Sequence, residues 1–186
     1  MKILVAIMIT MLLFGCAPYN TPEGRLLDEV YSAHLKDLRK KHQFSVNMTG
    51  GGGNGEKLNS IDLGLSIKKT LTIDSARRLI LPSFQDLEKK VNTFEELHPY
   101  LVEVPFGYDK YKYSIDSVNE KGIIKLPFDQ IYSNQISYVI LSRGELCYNV
   151  FVKETNKIVE VLCEPYEEAL KIVENEKKEG LEPLDD

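Results

Sequence analysis

The sequence predicts an α+β fold: a mainly antiparallel meander sheet of about six to eight strands with helices packed on one face. Apolar residues recur at helical spacing in three separate segments, and at every second position between and after them. The segment order is helix, two strands, helix, five or six strands, helix. That order is typical of an α+β domain and not of alternating parallel units.

The first predicted element is a helix over residues 25–41. Thr21 followed by Pro22 is a typical helix start, because threonine caps the first turn and proline fits its first position. One stripe of the segment is mainly apolar, and it consists of Leu27, Val30, Tyr31, His34, Leu35 and Leu38. The other face is charged, so the helix should dock onto the sheet by this stripe.

A glycine-rich segment separates two predicted strands. Alternating apolar residues run from Phe44 to Met48 and again from Ile61 to Ile67, and the residues from Thr49 to Lys57 include five glycines. We predict a mobile loop here, because glycines cost folding entropy and add little packing. As a candidate binding loop it offers Gly50, Gly51, Gly52, Gly53, Asn54 and Gly55.

The same segment does not fit a phosphate-binding loop. Glu56 stands where the phosphate-binding lysine should follow the last glycine, and its charge would repel phosphate. The next segment also reads as a strand and not as a helix. Tolerated disorder remains the alternative to a partner-binding loop.

A second helix is predicted from Asp74 to about Val91, with Pro82 kinking or breaking it. After Pro99 the pattern becomes strand-like, with six short runs and turns that suit hairpins. A last helix should begin near Pro165 and precede an acidic tail. The predicted strands cover residues 101–104, 111–118, 123–126, 136–142, 146–153 and 158–163.

Cys147 and Cys163 lie on two predicted strands joined by a tight turn, and the register decides whether they meet. A three-residue turn with Asn156 in the left-handed conformation places the two cysteines opposite each other and allows a disulfide. A four-residue turn places them on opposite faces. Because the second register collects the apolar residues on one face, we predict two free, largely buried thiols.

Tyrosines are unusually concentrated in one part of the chain. There are ten tyrosines and no tryptophan, and four of the ten lie within residues 100–113. Exposed aromatic side chains often form peptide and glycan sites, which makes Tyr108 and Tyr111 candidate binding residues. Tyr111, Tyr113 and Ile115 also alternate as a core-facing strand does, so packing is the favoured interpretation.

No catalytic, metal or cofactor motif is evident. The three histidines are His34, His42 and His98, and they form no H-E-x-x-H pattern. No G-x-S-x-G element is present. We therefore expect no metal and no cofactor. A catalytic site in this chain would have to be assembled from residues distant in sequence.

The N-terminus has the layout of an export signal. Lys2 precedes an apolar run from Ile3 to Phe14, which at twelve residues is shorter than the about 20 that a membrane-spanning helix needs. The residues Leu13-Phe14-Gly15-Cys16 resemble the lipobox of bacterial lipoproteins. That resemblance implies cleavage before Cys16, lipidation of its thiol and anchoring in a membrane. Since residue 17 is alanine and not aspartate, the resemblance favours the outer membrane, facing the periplasm.

We thus expect a signal peptide over residues 1–15, a lipidated N-terminus and tether over 16–24, a single α+β domain over 25–178 and a disordered acidic tail over 179–186. The formal charge of −5 argues against a nucleic acid partner, which needs a basic surface. The expected function is a non-enzymatic binding or scaffold module of the cell envelope for a protein or an envelope polymer. The alternative is a lipid-anchored hydrolase with a dispersed site.

Overall fold

The computed structural model describes residues 21–54, 57–118, 135–152 and 155–179. Several predictions concern other parts of the chain: the signal peptide, Cys16, Gly55, the strand at 123–126 and the tail beyond 179. The described helices are α1 (Pro22–Lys41), α2 (Ile73–Thr93) and α3 (Tyr166–Lys178), with 3₁₀ helices at Glu95–Tyr100 and Tyr108–Lys110. The strands are β1 (Phe44–Gly53), β2 (Leu58–Ile67), β3 (Leu71–Thr72), β4 (Tyr111–Ser117), β5 (Gln135–Ile136), β6 (Tyr138–Ser142), β7 (Glu145–Val152) and β8 (Lys157–Pro165).

Six strands form one sheet in the order β1-β2-β4-β6-β7-β8, and β3 pairs with β5 in a separate two-stranded sheet. The predicted α+β class is confirmed. The sheet is mostly antiparallel, as predicted, but it is not a simple meander, because its neighbours β2 and β4 are parallel. Helix α2 lies between these strands in the chain, and its crossover lets β4 start from the same end of the sheet as β2. The other neighbours in the six-stranded sheet are antiparallel.

The hydrophobic core lies between one face of the six-stranded sheet and the helices. The stripe predicted for α1 is buried throughout, which confirms that prediction. Thr21 caps α1 by accepting a hydrogen bond from the Gly24 amide. The sheet residues that face the core include Ile61, Leu63, Leu65, Tyr111, Tyr113, Ile115, Val139, Leu141, Leu146 and Tyr148.

Helix α2 continues through Pro82, so of the two predicted effects, a kink or a break, the break is wrong. Proline costs roughly 3 kcal/mol inside a helix because it removes one hydrogen bond and crowds the preceding turn. Pro82 itself is exposed, whereas Leu81 and Phe84 beside it are fully buried. Packing on both sides of the proline therefore holds the two halves of the helix together.

The glycines at 50–53 belong to strand β1, which corrects the prediction of a mobile loop over Thr49–Lys57. Gly50 pairs with Asp62, Gly51 with Ile61 and Gly52 with Ser60. The strand forms here because β2 supplies paired backbone groups, and glycine is required where β2 approaches closely. A Cβ atom at position 52 would lie 2.6 Å from Ser60 Oγ, and one at position 53 would overlap the carbonyl oxygen of Lys57. The absence of a side chain is thus a packing requirement at Gly52 and Gly53.

Cys147 and Cys163 form a disulfide, so the prediction of two free thiols is wrong. Val152 pairs with Lys157, so the four residues between the strands are 153–156, one position earlier than the predicted four-residue turn 154–157. Asn156 has φ 52°, the left-handed conformation considered for the three-residue turn. A β-bulge then changes the register between Tyr148 and Asn149 and brings Cys147 opposite Cys163. One additional residue in β8 turns the side chains beyond the bulge to the opposite face of the sheet. The alternation of apolar residues in the sequence does not reveal such a residue.

Candidate functional site

A cavity of about 250 Å³ lies between the first two turns of α1 and the glycine end of the β1–β2 hairpin. Typical small-molecule sites enclose about 300–1,000 Å³. The cavity is therefore large enough for a group the size of one amino-acid side chain or one sugar ring, but not for a whole cofactor. Its lining combines apolar side chains (Leu27, Leu58), backbone of three glycines (Gly50, Gly51, Gly53) and polar residues (Thr21, Glu23, Asp28, Tyr31, Thr49, Lys57), together with Gly24.

Gly51 is the glycine on which the cavity most depends. A Cβ atom at this position would lie 3.2 Å from Leu58 Cδ2 and 3.3 Å from Leu27 Cδ2, on the helix-facing side of the sheet. Any side chain at Gly51 would therefore enter the space between α1 and the hairpin. At Gly50 a Cβ atom would meet only the Asp62 Cβ, at 3.9 Å, which is an ordinary contact.

Tyr31 fastens α1 to the hairpin at the inner end of the cavity. Its hydroxyl donates to the carbonyl oxygen of Gly50 at 2.6 Å and to that of Asp62 at 2.9 Å, so one proton is shared between two acceptors. Burial raises the pKa of Tyr31, which keeps the hydroxyl protonated and donating. The position of α1 over the cavity is thereby fixed by a hydrogen bond as well as by packing.

The mouth of the cavity carries charges of both signs. Asp28 and Lys57 are exposed, and Glu23 is partly exposed. The Lys57 ammonium group donates to the carbonyl oxygen of Pro99 at 2.5 Å, which ties the hairpin end to the first 3₁₀ helix. A ligand with polar groups around one inserted moiety would meet donors and acceptors at this rim.

The structure places the predicted binding residues in different surroundings. Gly50, Gly51 and Gly53 line the cavity, whereas Gly52 and Asn54 belong to the same hairpin without lining it. Tyr108 is half-buried against Tyr166, with ring centroids 4.8 Å apart. Tyr111 lies in the core and packs edge-on against Phe84 and Phe106. Neither tyrosine lines the cavity.

Sequence reasoning missed the contribution of α1 to this site. Leu27, Asp28 and Tyr31 line the cavity but lie about 20 residues before the glycines along the chain. The three residues fit an ordinary amphipathic helix, and only the packing of α1 on β1 brings them to the glycines. The predicted helix start at Thr21 was the one sequence signal at a residue of α1 or its N-cap that lines the cavity.

A second polar arrangement is buried between α1, α2 and β4. His34 is fully buried, with Nδ1 2.7 Å from Asp86 Oδ2 and Nε2 3.1 Å from the Tyr113 hydroxyl. The Tyr113 hydroxyl is also hydrogen-bonded to Ser83 Oγ. Ser83 is thus connected to the histidine through a tyrosine and not directly, and none of these residues lines the cavity. The arrangement joins elements of the fold and does not present a nucleophile to a substrate.

Burial lowers the pKa of His34 even though Asp86 favours the charged ring. Burial acts to raise the pKa of Asp86, but hydrogen bonds from Lys90 and His34 outweigh it and lower that pKa. The neutral ring donates from Nδ1 to the carboxylate and accepts at Nε2 from Tyr113. The folded protein therefore holds His34 neutral at a pH where an unfolded chain would begin to take up a proton.

We expect this histidine to make the fold sensitive to acid. Because the folded pKa is the lower one, its stabilisation is complete above the unfolded pKa of about 6.5 and is lost as the pH falls from there toward the folded value. The free energy of unfolding should decline by up to about 1.4 kcal/mol per pH unit in that window. Urea unfolding of the wild type and of His34→Gln between about pH 8 and 5 measures this slope.

At pH 8 the variant His34→Gln should have a lower free energy of unfolding than the wild type. It should lack the part of the pH dependence that His34 causes. Asp116 contributes to the pH dependence with the opposite sign. Burial raises the pKa of its carboxyl to about 6, so its contribution to stability is lost as the pH rises through that value. That contribution is common to both proteins and cancels in the comparison. Equal slopes for the two proteins would contradict the assignment to His34.

The sheet face away from the helices carries a smaller polar cluster. The Asn47 amide donates to Asp116 Oδ2 at 2.6 Å and to Ser66 Oγ at 2.9 Å. These hydrogen bonds join β1, β2 and β4 across the sheet. The serine is therefore occupied by an amide donor and is not hydrogen-bonded to a base.

One group of possible metal ligands occurs within the described parts of the chain. The ligand atoms of Cys147, Glu160 and Cys163 lie within 4.8 Å of one another. Both sulfur atoms are used in the disulfide, so neither is available as the thiolate that a metal would need. The structure therefore offers no ready metal centre at this position.

The fold and the cavity define a class: an α+β domain with a residue-sized, mixed-polarity cavity between a helix and a glycine-bearing hairpin. Comparisons with protein-family models, with curated proteins and with solved structures find no match. Within residues 21–54, 57–118, 135–152 and 155–179, no helix has the length and apolar character needed to traverse a bilayer. The cavity between α1 and the hairpin is the feature of the described residues that bears on function.

Proposed function

We propose that this protein is a lipid-anchored binding module of the cell envelope, and that it holds one residue of a protein or of an envelope polymer in the cavity between α1 and β1. The single observation that carries the proposal is the cavity itself. It is of residue size, and its described lining combines apolar side chains with polar groups at the mouth. Such a site suits the binding of one group of a larger ligand.

The size of the cavity favours a polymer over a free small molecule. A side chain or sugar ring that fills about 250 Å³ buries little surface by itself. Useful affinity then requires neighbouring residues of the ligand to contact the rim, as they do when a chain lies across a site. Asp28, Lys57 and Thr49 around the mouth supply polar contacts of this kind.

The position of the cavity relative to the anchor supports a role close to the membrane. Thr21 lines the cavity and follows Cys16 by five residues. Five extended residues span at most about 18 Å. A lipid on Cys16 would thus keep the cavity near the membrane surface, where envelope polymers and membrane proteins are concentrated.

The disulfide supports an exported protein. Disulfides persist in oxidising compartments and are rare in reducing ones. Cys147 and Cys163 form one, and the proposed modification accounts for the third cysteine of the chain, Cys16. All three cysteines then have a role that suits the cell envelope.

Filling the cavity from the hairpin side tests this proposal. We expect Gly51→Val to lower affinity for the ligand at least about tenfold, because its side chain occupies the space that the ligand needs. Gly50→Ala is the matched control. The backbone of Gly50 lines the cavity, but strand alternation turns the added methyl group to the other face of the sheet, where it meets only Asp62 Cβ at 3.9 Å. The measurement is a nuclear magnetic resonance titration of the isotope-labelled full chain with soluble muropeptides and with extended peptides.

Binding should shift the amide signals of Leu27, Thr49 and Lys57, and Gly51→Val should abolish those shifts while Gly50→Ala keeps them. Shifts that survive Gly51→Val, or that occur only elsewhere, would contradict the cavity as the binding site. Mass spectrometry of the same samples detects cleavage. Turnover of a probe that one polar substitution abolishes would replace the binding function with an enzymatic one.

A further inference from the structure

Strand β8 leaves an apolar edge of the sheet exposed. It is the last strand in the order of the six-stranded sheet, and no described strand pairs with its outer side. Four of its large apolar residues are exposed to between 38 and 58 per cent: Ile158, Val159, Val161 and Leu162. A nine-residue edge strand with four exposed apolar side chains can act as a template for pairing with another strand.

The β-bulge fixes which backbone groups of β8 point outward. The Cα atoms of Cys147 and Cys163 are 4.1 Å apart, as in a pair without mutual backbone hydrogen bonds. The amide and carbonyl of Cys163 therefore point away from β7. Hydrogen-bonded and non-hydrogen-bonded pairs alternate along β7, so Phe151, like Cys147, belongs to a non-hydrogen-bonded pair. The backbone amide and carbonyl of its partner Ile158 therefore also point away from β7.

These two outward positions suit an antiparallel pairing of β8 with a second β8. With Ile158 opposite Cys163 of the second chain, the outward amides and carbonyls of both residues meet. The two-fold axis then passes between Glu160 and Val161. Because the pairing is two-fold, each contact occurs twice, as in the isologous interface of a symmetric dimer.

The faces of the sheet match in this register. Val159 would stand opposite Leu162, and both belong to the helix-covered face, since Val159 pairs with Val150 and Leu162 with Tyr148 within one chain. Ile158 and Cys163 both belong to the other face. Exposed apolar residues of each copy would thereby cover those of the other.

No like charges meet at the ends of the paired segment. Lys157 would stand opposite Glu164, whose carboxylate is neutralised within its own chain by Arg77. The two Glu160 side chains lie near the axis, on the exposed face of the sheet, where solvent screens their repulsion. The strand thus complements its own copy in faces and apolar contacts.

We propose that two copies of this chain associate through β8, forming one continuous sheet across a two-fold axis. The six strands of each copy would make a sheet of twelve. The cavity between α1 and β1 lies at the other edge of the sheet and stays open in such a dimer. The pairing therefore presents two ligand sites, one at each end of the joined sheet.

Charge substitutions on opposite partners of the pairing test the proposal and its register. In detergent-solubilised full-length protein, sedimentation velocity should show a concentration-dependent dimer. Val159→Lys and Leu162→Asp should each raise the dissociation constant at least about a hundredfold, because an unpaired charge is desolvated against an apolar residue. Mixing the two variants should restore the dimer, since Lys at 159 then faces Asp at 162.

Restoration on mixing also shows that both variants are folded. The matched control is Ile172→Asp, which changes an exposed residue of α3 outside β8 and should leave the dimer intact. Mixing Ile172→Asp with Val159→Lys should restore no more dimer than mixing wild-type protein with Val159→Lys does. A monomeric wild type, a dimer that persists in Val159→Lys, or failure of the two β8 variants to combine would each overturn the proposal.

Discussion

Replacing Arg77 with methionine is expected to lower the free energy of unfolding by about 3–5 kcal/mol, the cost typical of leaving one partner of a buried ion pair alone. The Arg77 guanidinium on α2 binds Glu164 of β8 through two hydrogen bonds, of 2.8 and 3.2 Å. Only 7 per cent of the Arg77 side chain and 11 per cent of the Glu164 side chain are exposed. Urea denaturation followed by circular dichroism measures the loss.

The geometry explains why this pair should matter more than others. Arg77 also donates to Asp74 Oδ1 at 2.9 Å and lies over the ring of Tyr148, whose hydroxyl donates to Glu164. Methionine keeps much of the volume but leaves the Glu164 carboxylate with only the tyrosine as a donor. A double substitution that also replaces Glu164 with leucine should recover most of the loss, because no buried charge remains.

Arg78→Met is the matched control, one residue further along α2. Arg78 pairs with Glu176 of α3 at 2.8 Å, but 23 per cent of the Arg78 side chain and 20 per cent of the Glu176 side chain are exposed. Partly solvated pairs contribute up to about 1 kcal/mol. If Arg77→Met were no more destabilising than Arg78→Met, the buried pair would not have the role assigned to it.

The parts of the fold that local pattern encodes were predictable. Helix α1 has a threonine cap, a proline in its first turn and a stripe at helical spacing, so its extent and its buried face followed from about twenty consecutive residues. The strands β2 and β4 were similarly evident from alternation. In these elements, propensity, periodicity and burial all agree, and no distant residue needs to be known.

The errors arose where distant residues decide the local structure. The glycines at 50–53 have low strand propensity, and they form a strand because the backbone of β2 pairs with them. The parallel pairing of β2 with β4 depends on where α2 returns the chain. The disulfide depends on a bulge in β8, which adds one residue without leaving a mark on the apolar pattern.

The candidate site was only half predictable for the same reason. The glycines drew attention to the hairpin, but the helix residues that complete the cavity carry no signal of their own. The buried arrangement around His34 joins residues up to 79 positions apart. Its components could be recognised as a unit only after α1, α2 and β4 were packed together.

Replacing Cys16 with serine is expected to abolish incorporation of radiolabelled fatty acid and to leave the precursor uncut, because the hydroxyl of serine cannot take the place of the thiol in the thioether that precedes cleavage. The measurement is metabolic labelling followed by electrophoresis, with fractionation of the membranes. One acyl chain gives only marginal membrane binding, whereas several give stable anchoring, so the unmodified protein also loses its lipid anchorage. Cys147→Ser is the matched control: it removes the disulfide but leaves Cys16, and it should be labelled and processed like the wild type. A Cys16→Ser protein that is still labelled and cut would refute the anchor, and with it the membrane-proximal position of the cavity.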